Sequence, residues 1–404
     1  MPTNLQLNMI EYVLSVFYSN SELLLLTCLL IAFVVYYVYG VAKQPLLVCQ
    51  EGKFKSFLLD SCPILHNRYW PTFWCFGTHA QTALANILRG RLPDLPYQRE
   101  IIKMKDGGII SLDWLECPEF NSQKHKAVVL FMPGLTGHSQ TEYIKSLVPI
   151  AQKVGCRAVV FNNRGRGGVD ILSPRTYSAC NTEDLREVLG YIKERYPDRP
   201  IYGVGISLGG IILGHYLAES RSDSLVCAAL LISTAFDIHA GEASLSIPGL
   251  NLMLNKHLTQ RLLEMLEPHK EKFENANVDM NYVFESKTIR DFDERFTAKI
   301  FNYKNVEEYY TAATLRSKIQ QVQVPLLCVN AADDMFCPIS AIPCQEVLST
   351  NNIAIVISSR GGHIGFMDGF LPATPFFSER LFEQYLRGLL SLPLNQKNKC
   401  LYVT

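Results

Sequence analysis

The hydrophobic pattern divides the chain before any motif is considered. From Leu23 to Ala42 the sequence reads LLLLTCLLIAFVVYYVYGVA, an unbroken apolar run without a charge. At roughly 1.5 Å of rise per residue, a helix of this length crosses the ~30 Å hydrocarbon core of a bilayer. Tyr36, Tyr37 and Tyr39 fall near its C-terminal end, where the headgroup layer favours amphipathic rings. A buried helix this long would carry a polar stripe, and a cleaved leader would place basic residues before its apolar stretch. The first basic residue is Lys43. The pattern therefore predicts a tail over 1–22 and a transmembrane anchor over 23–42.

Residues 43–97 are rich in aromatics (Phe54, Phe57, Tyr69, Trp70, Phe73, Trp74, Phe76) and read as a connecting region packed on a domain flank. From residue 98 to 400 strands and helices alternate. The hairpin Arg99–Lys105 and Ile109–Leu115 turns at Asp106-Gly107-Gly108. Continuous β-branched runs at Ala127–Met132, Arg157–Phe161, Ile201–Ile206, Cys227–Ile232, Pro325–Asn330 and Ile353–Ser358 predict strands buried on both faces. Thr182–Arg195 opens on acids and closes on bases, as a helix dipole prefers. Such alternation specifies a mostly parallel sheet with helices on both faces. It breaks between about 235 and 318, a charged stretch of helical period without a strong strand. That stretch predicts an inserted helical cap over the carboxyl edge of the sheet.

Composition narrows the classes. Lys+Arg and Asp+Glu are both 38 in 404 residues, so no net field draws the chain to nucleic acid. The twelve cysteines are scattered without a CxxC pair, and several, such as Cys227 and Cys328, fall in predicted strands. Cysteine there acts as a small hydrophobe, which favours a reducing compartment. No Asn-x-Ser/Thr acceptor occurs. Nor is there an HExxH, a Cys/His cluster or a phosphate-cradling glycine loop, so no metal or cofactor is expected.

The chemistry centres on Gly205-Ile206-Ser207-Leu208-Gly209, followed by Gly210. It lies between an apolar strand (IYGVGI) and a helix (IILGHYLAE), where flanking glycines permit a tight turn that lifts the serine hydroxyl above the sheet. A serine needs a base to take its proton. His363, in Arg360-Gly361-Gly362-His363-Ile364-Gly365 behind the last strand, has the chain position for it. A carboxylate must orient that histidine. Asp333 and Asp334 both follow the Pro325–Asn330 strand, and Asp333 is the expected acid, with Asp334 left to brace the loop. Backbone N–H groups of Leu208 and of Leu135, in Pro133-Gly134-Leu135-Thr136-Gly137, are the expected oxyanion donors. Arg164, in Asn162-Asn163-Arg164-Gly165, reads first as one half of a structural ion pair. These elements define an α/β-hydrolase fold.

The strings GISLGG, NAADD, GGHIGF, PGLTG and FNNRGRGG, with YWPTFWCF at Tyr69–Phe76 and NTEDL at Asn181–Leu185, resemble the AB hydrolase 4 family nearly end to end. The likeness is to its animal single-pass membrane phospholipases and esterases, including one acting on medium-chain phosphatidylcholines. The resemblance implies a Ser207, Asp333, His363 triad and hydrolysis of lipid esters. Two departures are Pro133-Gly134 where a His-Gly pair often stands, and Met335 where relatives often carry proline. The expectation is an acyl-ester hydrolase whose substrate is a membrane lipid, held on an endomembrane such as the endoplasmic reticulum. Alternatives are a monoacylglycerol or short-chain ester hydrolase, an acyltransferase using the His363-x4-Asp368 spacing, and an inactive scaffold. Lys43, Lys53 and Lys55 after the span place the catalytic part in the cytoplasm by charge, whereas the family resemblance implies the opposite side.

Overall fold

A computed structural model describes residues 21–117 and 127–392. The tail up to residue 20, His125 and residues 393–404 lie outside the described residues. Two compact units are present, Met1–Lys43 and Gln44–Thr404.

In the first unit, a helix over Ser21–Tyr36 continues through a wider π-helical segment, Tyr37–Val41. Glu22–Val41 has a mean hydropathy of 2.4 and is long and apolar enough to cross a membrane. The hydroxyl of Thr27 donates to the Leu23 carbonyl at 2.7 Å, so its polar atom is satisfied inside the helix.

The second unit is built on a nine-stranded sheet in the order β1-β9-β8-β7-β6-β4-β5-β3-β2. The strands are β1 Leu46–Cys49, β2 Gln98–Lys103, β3 Ile109–Leu115, β4 Val128–Met132, β5 Arg157–Asn162, β6 Ile201–Ile206, β7 Val226–Ile232, β8 Leu326–Ala331 and β9 Ile353–Ser358. From β4 to β9 every pairing is parallel, while β2, β3 and β1 join antiparallel at the two edges. The pleat sends alternate residues to opposite faces. Val128, Leu130 and Met132 enter one hydrophobic cluster, and Val129 and Phe131 enter the other. Fully burying one such side chain contributes about 1.5–3 kcal/mol, which is why these runs are almost wholly apolar. Strand β4 lies between β5 and β6, so the crossovers part there and open a crevice at the carboxyl ends of β4 and β6.

The region expected to be a connector holds a strand and helices at Lys53–Ser61, Pro63–His66 and Thr78–Gly90. Strand β1 pairs with β9 from Leu46↔Ile357 to Cys49↔Ala354. A helix over Thr78–Gly90 buries Gln81, Ala85 and Arg89. Residues 44–97 are thus part of the sheet unit. Between β7 and β8 the chain forms helices at Ile238–Leu245, Leu250–Leu266, Met280–Phe284, Ile289–Phe292 and Val306–Ala313, with no strand. Three of these starts are capped by side chains as follows: Asp237 accepts from Ala240 N–H, Thr288 from Asp291 N–H and Asn305 from Glu308 N–H. The Leu250–Leu266, Met280–Phe284 and Ile289–Phe292 helices share a small core with Phe273 and Phe296, including Leu262, Leu266, Val283 and Phe292.

Candidate active site

Ser207 stands where β6 becomes the Leu208–Ser220 helix, with φ 53° and ψ −119°. A non-glycine residue pays a strain of order 1–3 kcal/mol for such a conformation, and the neighbours explain why it persists. A Cβ on Gly209 would lie 2.1 Å from the Met132 carbonyl oxygen, and one on Gly205 would lie 2.5 Å from Gly210 Cα. The turn is therefore closed on both sides by backbone, and only glycine fits. The N–H of Ser207 donates to the Ile232 carbonyl at 2.9 Å, which pins the turn to β7.

The loop after β9 delivers His363 to this serine. Ser207 Oγ–H donates to His363 Nε2 at 2.9 Å. On the other side of the ring, His363 Nδ1–H donates to the two carboxylate oxygens of Asp334 at 3.0 and 2.9 Å. Asp334 is the residue in the orienting position, and the expectation of Asp333 is corrected. Strand β8 extends one residue beyond the expected end, to Ala331. Ala332 N–H is still bonded to the Ser358 carbonyl at 2.8 Å, and the turn closes from Asp334 N–H to the Ala331 carbonyl at 3.2 Å. The reversal thus presents the second aspartate, buried at 3% exposure, to the imidazole. Asp333 points away: its Oδ1 accepts from Gly362 N–H at 2.9 Å, while its buried Oδ2 has no partner. Burial pushes its carboxyl up to about 6, against the pull of the Gly362 hydrogen bond.

Several residues that hold His363 escaped the sequence reading. Thr82 accepts from His363 N–H at 2.9 Å, and Thr78 donates to the Asp333 carbonyl at 2.5 Å. Both lie on the Thr78–Gly90 helix. From the same helix Arg89 donates to the Ile364 carbonyl and to Glu379, both at 2.7 Å. Arg89 and Glu379 are 3% and 1% exposed, and Glu379 also accepts from Ser146 and from Phe376 N–H. A buried pair so completely bonded fixes geometry, because loss of either partner strands the other charge. The Phe336 ring lies 4.0 Å from the His363 ring, tilted by 32°. No sequence pattern signals contacts between segments nearly three hundred residues apart.

Leu208 opens its helix, so its N–H has no partner within that helix. The Pro133–Gly137 loop meets the serine directly: a Cβ on Gly134 would sit 3.0 Å from Ser207 Cβ. Its course is set by Thr136 at φ 62° and by Gly134 N–H, which donates to the Tyr143 hydroxyl at 2.9 Å. Ser207, Leu135 and Phe336 line two cavities. One, of about 130 Å³, runs under the cap between apolar residues including Ile211, Leu245, Leu262, Met265 and Phe292. Its polar end includes Asp293, whose carboxyl burial pushes up to about 7 and which accepts from the Tyr310 hydroxyl at 3.2 Å. The other, of about 500 Å³, is polar, with His138, Glu142, Arg166, His257 and Arg261 in its walls.

The remaining candidates take structural places. Arg164 is 2% exposed and bridges Asp184 and Asp106, the ion pair that its position suggests. Asp368 is bonded to Arg380. His215 donates through Nε2 to the Ala313 carbonyl at 3.0 Å, and burial pushes its ring down to about 4.

A family model described as the alpha/beta hydrolase fold matches residues 127–370, and the chain belongs to that family. Among curated proteins it is similar to human Phospholipase ABHD3, 37% identical over 377 residues that cover 93% of this chain and 92% of the relative. It is also similar to mouse Monoacylglycerol lipase ABHD2, 27% identical over 374 residues, or 88% of each chain. Among solved structures, a Pyrococcus furiosus esterase aligns over 73% of this chain and 92% of its own, at 16% identity and a TM-score of 0.46.

Proposed function

We propose that this chain is a membrane-anchored serine hydrolase that cleaves an acyl ester of a glycerophospholipid such as phosphatidylcholine. One observation carries the reading: His363 bonds Ser207 on one side and the buried Asp334 on the other, and Ser207 opens into an apolar cavity and a polar one. Similarity to Phospholipase ABHD3 over nearly the whole chain supports the lipid class.

In this scheme the acyl chain enters the cavity under the cap, and its ester carbonyl lies over Ser207. Ser207 Oγ attacks the carbonyl carbon while His363 Nε2 takes the hydroxyl proton, and Asp334 stabilises the imidazolium. The oxyanion is held by the N–H groups of Leu208 and Leu135. Collapse expels the lipid alcohol, which receives the proton from His363. Water, deprotonated by the same nitrogen, then releases the fatty acid. The Glu22–Val41 helix confines the site to a bilayer surface, where lipid is concentrated. We place that bilayer among the endomembranes, with the hydrolase unit on the side favoured by Lys43, Lys53 and Lys55; glycosylation of an acceptor engineered after residue 45 would reverse that side.

The second reading is a monoacylglycerol lipase, favoured by similarity to Monoacylglycerol lipase ABHD2. A fluorophosphonate probe tests the common ground. Wild type is labelled covalently; Ser207→Ala is not, and its ester turnover falls about 10⁴-fold or more. Equal labelling of the two would remove Ser207 as nucleophile. Comparing phosphatidylcholine with monoacylglycerol as substrates then separates the two readings.

A further inference from the structure

The loop after β5 carries two arginines two positions apart, and they are placed oppositely. Arg164 is enclosed by two aspartates. Arg166 turns into the polar cavity that Ser207 and His363 also line. Its Nη2 donates to the Thr136 carbonyl in the loop beside the serine, and its Nε is shielded from solvent without an acceptor. Among the described residues no carboxylate forms an ion pair with it. Gly165, Gly167 and Gly168, at φ 71°, 61° and 77°, fix the loop around it.

Of the other charged groups in this cavity, Arg89 is held by Glu379 and Arg261 by Glu264 at 2.8 Å, while the Glu142 carboxylate accepts from the neutral Asn86 amide at 2.7 Å. His257 is exposed. His138 is shifted below its ordinary value by burial and then by Arg166 itself, so it adds no charge at neutral pH. A half-buried guanidinium whose Nε lacks an acceptor, with no carboxylate paired to it, is placed to take an anion.

The position of the serine decides which anion. With the acyl chain in the apolar cavity, the alcohol half of the ester must face the polar one. We propose that Arg166 binds the phosphate of a glycerophospholipid substrate and thereby selects phospholipids over uncharged glycerides. The inference rests on the lipid-hydrolase reading above. A guanidinium is suited to the task, since its fork can pair with two phosphate oxygens. A monoacylglycerol offers only hydroxyls there and leaves Arg166 without its counter-charge.

The test uses the full chain in mixed micelles, with phosphatidylcholine and monoacylglycerol of one acyl length. Arg166→Gln and Arg166→Met should each lower the kcat/KM ratio of phospholipid to monoacylglycerol by about 10- to 100-fold, the scale of a charge-assisted hydrogen-bonded pair. Glycerophosphocholine should inhibit wild type and lose that effect in both variants, while inorganic phosphate at the same concentration should not inhibit. An unchanged ratio in either probe-labelled variant overturns the assignment and leaves the hydrolase reading intact. Inhibition by inorganic phosphate equal to that by glycerophosphocholine overturns the headgroup as its ligand. Wild type that takes no fluorophosphonate removes the hydrolase reading on which the inference stands.

Discussion

The carboxyl edge of the sheet and the cap above it meet at Ser207, and they hold the site by different physics. At the sheet edge each reactive side chain is over-determined. Ser207 is flanked by glycines at which an added Cβ would lie 2.1 and 2.5 Å from backbone atoms, and His363 is gripped by Thr82, Phe336 and a loop braced by Arg89. The cap is a set of helices, several of which close their apolar faces on one another and on Ile171. It contributes a cavity wall and none of the groups in the Ser207–His363–Asp334 chain. The difference assigns chemistry to the rigid edge and choice of substrate to the cap and the facing loops. Preorganisation needs sub-ångström placement, whereas a chain-binding wall tolerates repacking.

The contrast is broken most severely at the turn. Gly209→Ala drives a methyl into the Met132 carbonyl. A shift of about 1 Å there should cost on the order of 10²-fold in kcat. Ester turnover by the purified variant measures it, and near-wild-type activity would mean that the edge is softer than described. A smaller effect is expected in the cap. Burial raises the Asp293 carboxyl from 3.8 to about 7. Its protonated form is the one that folding favours, so its contribution is full below about pH 4, declines as pH rises to about 7, and is gone above. The slope should reach at most about 1.4 kcal/mol per pH unit. Asp293→Asn lacks that slope and should gain Tm relative to wild type as pH rises from 4.5 to 7.5. Parallel Tm curves for the two proteins would show Asp293 ionising normally.

The same contrast explains what could be read from the chain. The Ile201–Ile206 and Ile353–Ser358 strands have the boundaries that their apolar runs predict, because both faces are buried along their length. The serine turn is equally legible, since its glycines answer a local steric need. Strand β1 is not, being a four-residue edge strand with one exposed and one half-buried position. The Thr78–Gly90 helix hides its role because Thr82 and Arg89 meet His363 and Ile364 only through tertiary contact. The choice between adjacent aspartates depends on a single extra residue in β8, and strand ends are where sequence pattern is weakest. Arg164 and Arg166 look alike in the sequence, and only the chain's course through three left-handed glycines separates their surroundings.

The central claim, that a charge-stabilised histidine activates Ser207, rests on which aspartate supports it. Fluorophosphonate labelling rates of Asp334→Asn and Asp333→Asn, measured side by side on the purified chain, test it most directly. Asp334→Asn should label about 10⁴-fold more slowly, because the amide cannot hold the imidazole in its working tautomer. Asp333→Asn, which keeps an acceptor for Gly362 N–H, should label within about tenfold of wild type. Slow labelling of Asp333→Asn beside fast labelling of Asp334→Asn would contradict the account.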